Sequence, residues 1–484
     1  MEDFTLSISP EELAYQNFCL DRIYPDDAKY SDKSDPLRPF ISERAVWKKC
    51  AEVQYFLLET GVEFGRGTEE NVTEAKNALE KADPLNMKLI EKKKTRHDQL
   101  AVIEELGRYT SEETKSLFHP GTTSYDILDT ARSKLYKDAW KEVMRPMVSS
   151  VISDLCGLAE TYEDVVQTGR THLQNTSPVS FGGYLANYAA RLAERVEKVD
   201  DCVDDFRGKV SGIVGTGAGP SMVFGDMAEE FEERVLEKLD LKPDKTSTQI
   251  VNKERFADFG HYLVTLDGVL ANYANDIRFL YSSSIQEVTS RDNEKRLGGS
   301  STDAGKNNPI NYENIAGKYA EIESGMRVLY EMNRSNLQRD LRNSVQARYQ
   351  PNMMMAEVYE SFTRAGECMK TLSVNADRME ENLERVREFP TEAATTILKG
   401  EKFIHPVFGL PHDFIKEKAK VSKSEKRKFI DVCKEDKHFM ETYENMSDLK
   451  KSILDGQIEN YLGFHKKRAK DNISYARRVI SEKL

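Results

Sequence analysis

The sequence predicts an all-α protein of three helical domains, the central one a bundle of long helices that packs into a multi-chain helical core. Two observations predict this class. Apolar residues recur at alternating spacings of three and four through the middle of the chain, and a handful of polar, glycine-containing breaks separate blocks that otherwise read as charged helix. One series runs Leu185, Ala189, Leu192, Val196, Val199, Val203 and Phe206. A second runs Leu263, Leu266, Leu270, Ala274, Ile277 and Tyr281. A third runs Val358, Phe362, Ala365, Met369, Leu372, Ala376, Met379, Leu383 and Val386. Each is a heptad-like seam, which sets one stripe of a helix against nearly parallel neighbours. Seams this long imply helices beyond the ~11-residue average of globular proteins, and they favour association with further copies of the chain. An extended monomeric coiled coil is the alternative, but it has no need of the breaks.

The elements follow in order. Residues 1–130 read as an N-terminal helical domain that closes near "HPGTTSYD". Residues 131–378 read as the central bundle, interrupted by "GRTHLQNTSP", "SGIVGTGAGP" and a long loop over 298–314, "GGSSTDAGKNNPINYEN". In that loop Gly and Asn tolerate unusual backbone angles, and Ser and Asn bond nearby backbone groups. Residues 379–484 read as a smaller C-terminal helical domain. No period of 20 to 50 residues repeats, so a solenoid is not expected.

Composition narrows the function. The chain has 484 residues, 39% hydrophobic and 31% charged, and no uninterrupted apolar stretch of membrane-spanning length. Its opening, "MEDFTLSISPEEL", has no basic start or apolar core, which predicts a cytoplasmic protein. The six cysteines form no CxxC pair and read as reduced, mostly buried thiols. A net charge of −12 speaks against a nucleic-acid surface, and the basic runs "EKKKTRH" and "KSEKRK" read as solvated helix faces. "GIVGTGAG" does not fit the dinucleotide fingerprint, there is no P-loop lysine motif, and the eight histidines make no metal-binding pair.

Four polar clusters could carry chemistry. His172 lies in a polar break before an amphipathic helix, flanked by Thr171 and Gln174, and could act as a general acid near neutral pH. His119 opens a segment in which Thr123 and Ser124 precede Asp126. Ser124 reads as an N-cap for a helix beginning near Asp126, and such a helix end would also hold a carboxylate. The long loop offers Ser300, Ser301, Lys306 and Asn308, either as a site that stabilises negative charge or as a surface linker. Arg339, Ser344 and Arg348 bring two guanidinium groups and a hydroxyl close in sequence, suited to a phosphate or to surface ion pairs. Ser344 and Arg348 share a helix face, with Arg339 over two turns earlier if the helix is unbroken.

Together and in this order the motifs resemble the fumarase/aspartase superfamily and, within it, the adenylosuccinate lyase family, over nearly the whole chain. The superfamily signature resembles GSSxMPxKxNP and stands here as Gly299 to Pro309. By that resemblance Ser300 is the base that removes a proton beside a carboxylate, Lys306 and Asn308 contact substrate, and the loop is a mobile lid. His172 resembles the general acid and Glu313 the carboxylate that orients it. His119, with Thr123 and Ser124, resembles a substrate motif and assists the chemistry; His97, Asp98, Thr171 and Gln249 resemble substrate contacts. Arg339, Ser344 and Arg348, helped by Arg22 and Tyr24, fall at the family's phosphate-binding spacing. The resemblance implies a β-elimination that releases fumarate from a succinylated purine nucleotide. It also implies a homotetramer with active sites shared between chains, and no metal or organic cofactor. The sequence departs from the pattern at Asp303, Ala304 and Gly305, at Ile23 between Arg22 and Tyr24, and at Lys253 and Glu254 where the family tends to have Arg-Asp. A related lyase acting on another succinyl or aspartate adduct, such as argininosuccinate, is the alternative, as is a non-catalytic helical relative.

Overall fold

The computed structural model describes residues 9–11, 14–15, 20, 24, 27–291 and 306–482. Arg22, Ser300, Ser301, Asp303, Ala304 and Gly305 lie outside them, and with them residues 298–305 of the expected lid.

Long helices dominate, as the seams require. The elements that position the site are α1 (Glu43–Glu63), α2 (Asp98–Gly107), α3 (Ser124–Asp138), α4 (Arg145–Thr161), α5 (Phe181–Asp204), α6 (Glu254–Leu280), α7 (Ile310–Ser324), α8 (Arg342–Thr371), α9 (Ala376–Glu388) and α10 (His465–Ser481). With 24, 27 and 30 residues, α5, α6 and α8 are more than twice the usual length. Their seams are the core: Leu185, Ala189, Leu192, Val196, Val199 and Val203 on α5, and Leu266, Leu270, Ala274 and Ile277 on α6, are all fully buried. The helix α5 packs against α4, α6 and α10, and α6 packs against α7 and α8. The fold is all-helical with short strand pairs at its joints.

Those joints correct two expectations. The third seam does not run through one helix. After α8 ends at Thr371, Leu372–Val374 forms β4, which pairs antiparallel with β3 (Val288–Ser290). The chain re-enters helix at α9, where the Asn375 side chain accepts the Arg378 amide as an N-cap. Ala376 is therefore exposed, and the seam is divided between two cores: Met379 joins the bundle, while Leu383 and Val386 join a second cluster built from residues 383–458. The final helix α10 leaves that second cluster and returns to α5 and α4, where Tyr475 Oη donates to Glu197 and Arg145 Nη2 donates to the Val479 carbonyl.

The second correction concerns the break before α5. It is a β-hairpin, β1 (Val166–Thr171) and β2 (Gln174–Ser180), paired from Val166↔Ser180 to Thr171↔Gln174 with an irregularity between Thr168 and Arg170. Its turn is His172–Leu173, both left-handed at φ 53° and 59°. Two consecutive positive-φ residues make the tight turn whose twist matches paired strands. The strands carry polar residues on both faces, so no apolar alternation marked them in the sequence.

Candidate active site

The richest convergence of the anticipated residues lies where the N-terminal ends of α2, α3 and α8 meet. Helix N-termini present unpaired amides and a partial positive charge. His97 caps α2 through Nδ1 and sits 3.5 Å from the Asp98 carboxylate. Thr123, not Ser124, caps α3. Its backbone is extended (φ −125°, ψ 166°), Ser124 is already helical, and Asp126 Oδ2 accepts the Thr123 amide at 2.6 Å to complete a capping box.

The loop ahead of α3 is held from below. Asp126 is fully buried, pairs with Lys209, and accepts the amides of Ser211 and Gly212. Gly121 and Gly219 then touch backbone to backbone: a Cβ on Gly219 would lie 2.2 Å from the Gly121 carbonyl oxygen. Gly219 of "SGIVGTGAGP" thus serves close packing against the His119 loop, while Gly215 approaches the Ser247 carbonyl instead. His119 itself is left-handed (φ 59°), and its Nδ1 accepts from Gln54 Nε2 at 2.9 Å. That bond places the ring proton on Nε2. Burial, with His97 adding to it, pushes the His119 pKa down to about 4, so the ring is a neutral donor at physiological pH.

Arg339 approaches from the opposite side. The arginine does not extend α8. Asp340 accepts the amides of Asn336 and Arg342, the helix starts at Arg342, and Arg339 is left in the connecting segment. It can therefore fold back: its guanidinium carbon lies 3.6 Å from the Tyr125 ring centroid, and Nη1 donates to Gln249 Oε1 at 2.8 Å. Its Nε is buried without a hydrogen-bond partner among the described residues. The Gln249 amide reaches the Gln338 carbonyl, which fixes the same segment. Ser344 and Arg348 stand one turn apart on α8, and Arg348 Nη2 lies 4.0 Å from Asp98 Oδ2. Tyr24 lies beside α8 farther along, its hydroxyl 3.4 Å from Met353 Sδ. Residues from five separate stretches, 97–98, 119–125, 249, 339 and 344–348, thus form one cradle with two arginines and three helix N-termini. It can hold a polyanion such as a phosphomonoester.

The remaining predicted residues lie elsewhere on the chain. Thr171 and His172 are exposed at the hairpin tip. Lys306 is exposed and Asn308 half-buried in the segment leading to α7, and Glu313 is exposed in the first turn of α7. Among the described residues, no hydrogen bond or ion pair joins His172 to Glu313 or to the cradle within one chain. Sequence reasoning missed Tyr125, the platform under Arg339, and Gln54, which fixes the His119 ring. Gln54 carried a signal: it is a polar residue between Val53 and Tyr55 on the buried face of α1.

Comparisons with known proteins follow this geometry. A family model described as Lyase matches residues 42–323, more than half of the chain. The chain belongs to that lyase family. The protein is an enzyme of the lyase class within the fumarase/aspartase superfamily. Similar curated proteins include an adenylosuccinate lyase of Archaeoglobus fulgidus, 27% identical over 465 residues, covering 95% of this chain and 99% of that one. One of Pyrococcus horikoshii is 28% identical over 465 residues, covering 94% and 98%. Among solved structures, a fumarate lyase from Mesorhizobium sp. BNC1 superposes with a TM-score of 0.76 at 20% identity, over 91% of this lyase and 97% of that chain. A 3-carboxy-cis,cis-muconate lactonizing enzyme from Pseudomonas putida gives 0.76 at 19% identity, over 92% and 97%. These two likenesses establish the fold.

Proposed function

We propose that this lyase eliminates fumarate from adenylosuccinate to give AMP, and from the succinyl-carboxamide ribotide (SAICAR) to give AICAR in purine nucleotide biosynthesis. The observation that carries the reading is the cradle of Arg339, Ser344 and Arg348 beside three helix N-termini, which suits the 5′-phosphate of a nucleotide. Adenylosuccinate lyases that align end to end with the chain support the same substrate.

The chemistry proposed is a general acid–base β-elimination. Ser300 takes the proton from the carbon beside the succinyl carboxylate, and the electron pair is held as an aci-carboxylate by loop amides with Lys306 and Asn308. The pair then forms the new carbon–carbon double bond as the carbon–nitrogen bond breaks, and His172, oriented by Glu313, gives the leaving nitrogen its proton. Neutral His119, with Nε2–H free to donate, lies beside His97, Asp98, Thr123 and Ser124 in the substrate pocket. Exposure of His172 and Glu313, apart from the cradle, fits composite sites in which three chains of a homotetramer each supply one part. A cytoplasmic setting accompanies this reading, in keeping with the buried thiols of Cys50, Cys156 and Cys433, none of which is in a disulfide among the described residues.

The test is ultraviolet absorbance of adenylosuccinate on mixing with purified protein, with fumarate assayed in parallel. Equal substrate loss and fumarate release is expected. Folded protein that produces neither would overturn the substrate assignment.

A further inference from the structure

The tip that presents His172 is tied to the body of the protein by a buried ion pair two residues away. Arg170 Nη1 donates to Glu287 Oε2 at 2.9 Å and Nη2 to Oε1 at 2.5 Å, a bidentate fork. The Glu287 side chain is 0% exposed and that of Arg170 15%. Glu287 is fixed independently of the hairpin. Its amide donates to the Leu280 carbonyl at the end of α6, its carbonyl accepts the Asn375 amide ahead of α9, and Oε1 also accepts from Asn382 Nδ2 at 2.9 Å.

A buried ion pair costs several kcal/mol of desolvation per ion and is often no more stabilising than well-packed apolar side chains. What a planar fork adds is direction. Direction is what the hairpin lacks, because the ladder is irregular between Thr168 and Arg170 and only Arg170↔Asn175 and Thr171↔Gln174 pair beyond that point. The regular part of the ladder therefore cannot set the heading of the tip, and the pair acts beyond the irregularity.

We infer that Glu287, acting through Arg170, is the positioning residue that aims His172. The inference rests on the reading of His172 as the proton donor to the leaving nitrogen. It requires the fork, and not charge alone: a lysine at position 170 offers one point of attachment where arginine offers two.

The experiment uses the full chain as wild type, Glu287→Gln, Arg170→Lys, His172→Ala and the double variant His172→Ala with Glu287→Gln. Turnover and KM are followed by fumarate release, and hydrogen–deuterium exchange is followed over residues 170–175. Glu287→Gln and Arg170→Lys should each lower kcat by about tenfold or more, as misplacement of a reacting group does, with KM changed by less than about threefold. The double variant should be no slower than His172→Ala alone, because a residue that acts through His172 has nothing left to position. Tip exchange should be faster in Glu287→Gln than in wild type.

Wild-type kcat in Glu287→Gln and Arg170→Lys would overturn the inference. So would multiplying losses in the double variant, since they assign the effect to the fold at large. If wild-type protein releases no fumarate, the reaction assignment fails. The exchange measurement still decides the positioning claim, and unchanged tip exchange in both single variants refutes it.

Discussion

Asp267 should destabilise this lyase at neutral pH, and replacing it with asparagine should make the protein more stable. The residue sits in the middle of α6 on the buried seam, between Leu263 and Leu270, and is fully buried. Among the described residues, neither carboxylate oxygen has a hydrogen-bond partner of good geometry. Burial is the main cause that pushes its pKa up to about 7, against smaller downward pulls from Ser361 and Lys318. The folded state therefore holds a proton between pH ~4 and ~7 that the unfolded chain has already given up. Stability from this group is greatest at low pH and is lost as pH rises through that window. Across that pH window the difference is worth about 4 kcal/mol, at about 1.4 kcal/mol for each pH unit. Asp267→Asn keeps the shape and removes the charge, so its stabilising effect should grow with pH and reach a few kcal/mol by pH 8. The assay is denaturant unfolding of both proteins at half-unit intervals from pH 5 to 8, at equal chain concentration because assembly affects apparent stability. A variant less stable than wild type at pH 8, or a difference independent of pH, would refute the reasoning.

Four further outcomes are expected. Ser300→Ala and His172→Ala should each cut turnover by at least ~10²-fold with unchanged melting temperatures, measured by fumarate release and circular dichroism. Arg348→Ala should raise KM for the phosphorylated substrate with a smaller change in kcat, and an unchanged KM would remove the phosphate assignment. Mixing Ser300→Ala chains with His172→Ala chains, with subunit exchange allowed, should recover activity that neither parent has; no recovery argues that each site is built by one chain. His119 has its pKa pushed down to about 4, so below the ordinary histidine value the unfolded chain takes a proton that the folded state refuses. Its contribution is full above pH ~6.5 and falls by up to about 3 kcal/mol as pH drops toward 4. His119→Asn should flatten that part of the acid-unfolding profile.

Local order was legible wherever it repeats along the chain. The seams of α5 and α6 were read from spacing alone and are buried, because a helix turns by a constant angle and its apolar stripe is written directly in the residue order. The same rule misled at Leu372, whose apolar character continued the period across a strand pair and a new helix cap. Periodicity records which positions are apolar and is silent about a partner strand eighty residues away. The His172 hairpin was hidden for a related reason, since polar residues on both faces erase the period-two signal.

The site divides in the same way. Residue types and spacings were enough to single out His119, Thr123, Arg339, Ser344 and Arg348, because acid–base and anion-binding chemistry draws on few side chains, whereas Gln249 came from the family resemblance alone. Only the tertiary structure decided that Arg339 leaves the helix and rests on Tyr125, that Gln54 sets the His119 proton on Nε2, and that Glu287 grips Arg170. It also decided that Asp267, one charge among 82 acidic residues in the sequence, lies where water cannot reach it. Desolvation and hydrogen-bond geometry depend on what packing brings from distant positions, and the order of residues along a helix does not specify it.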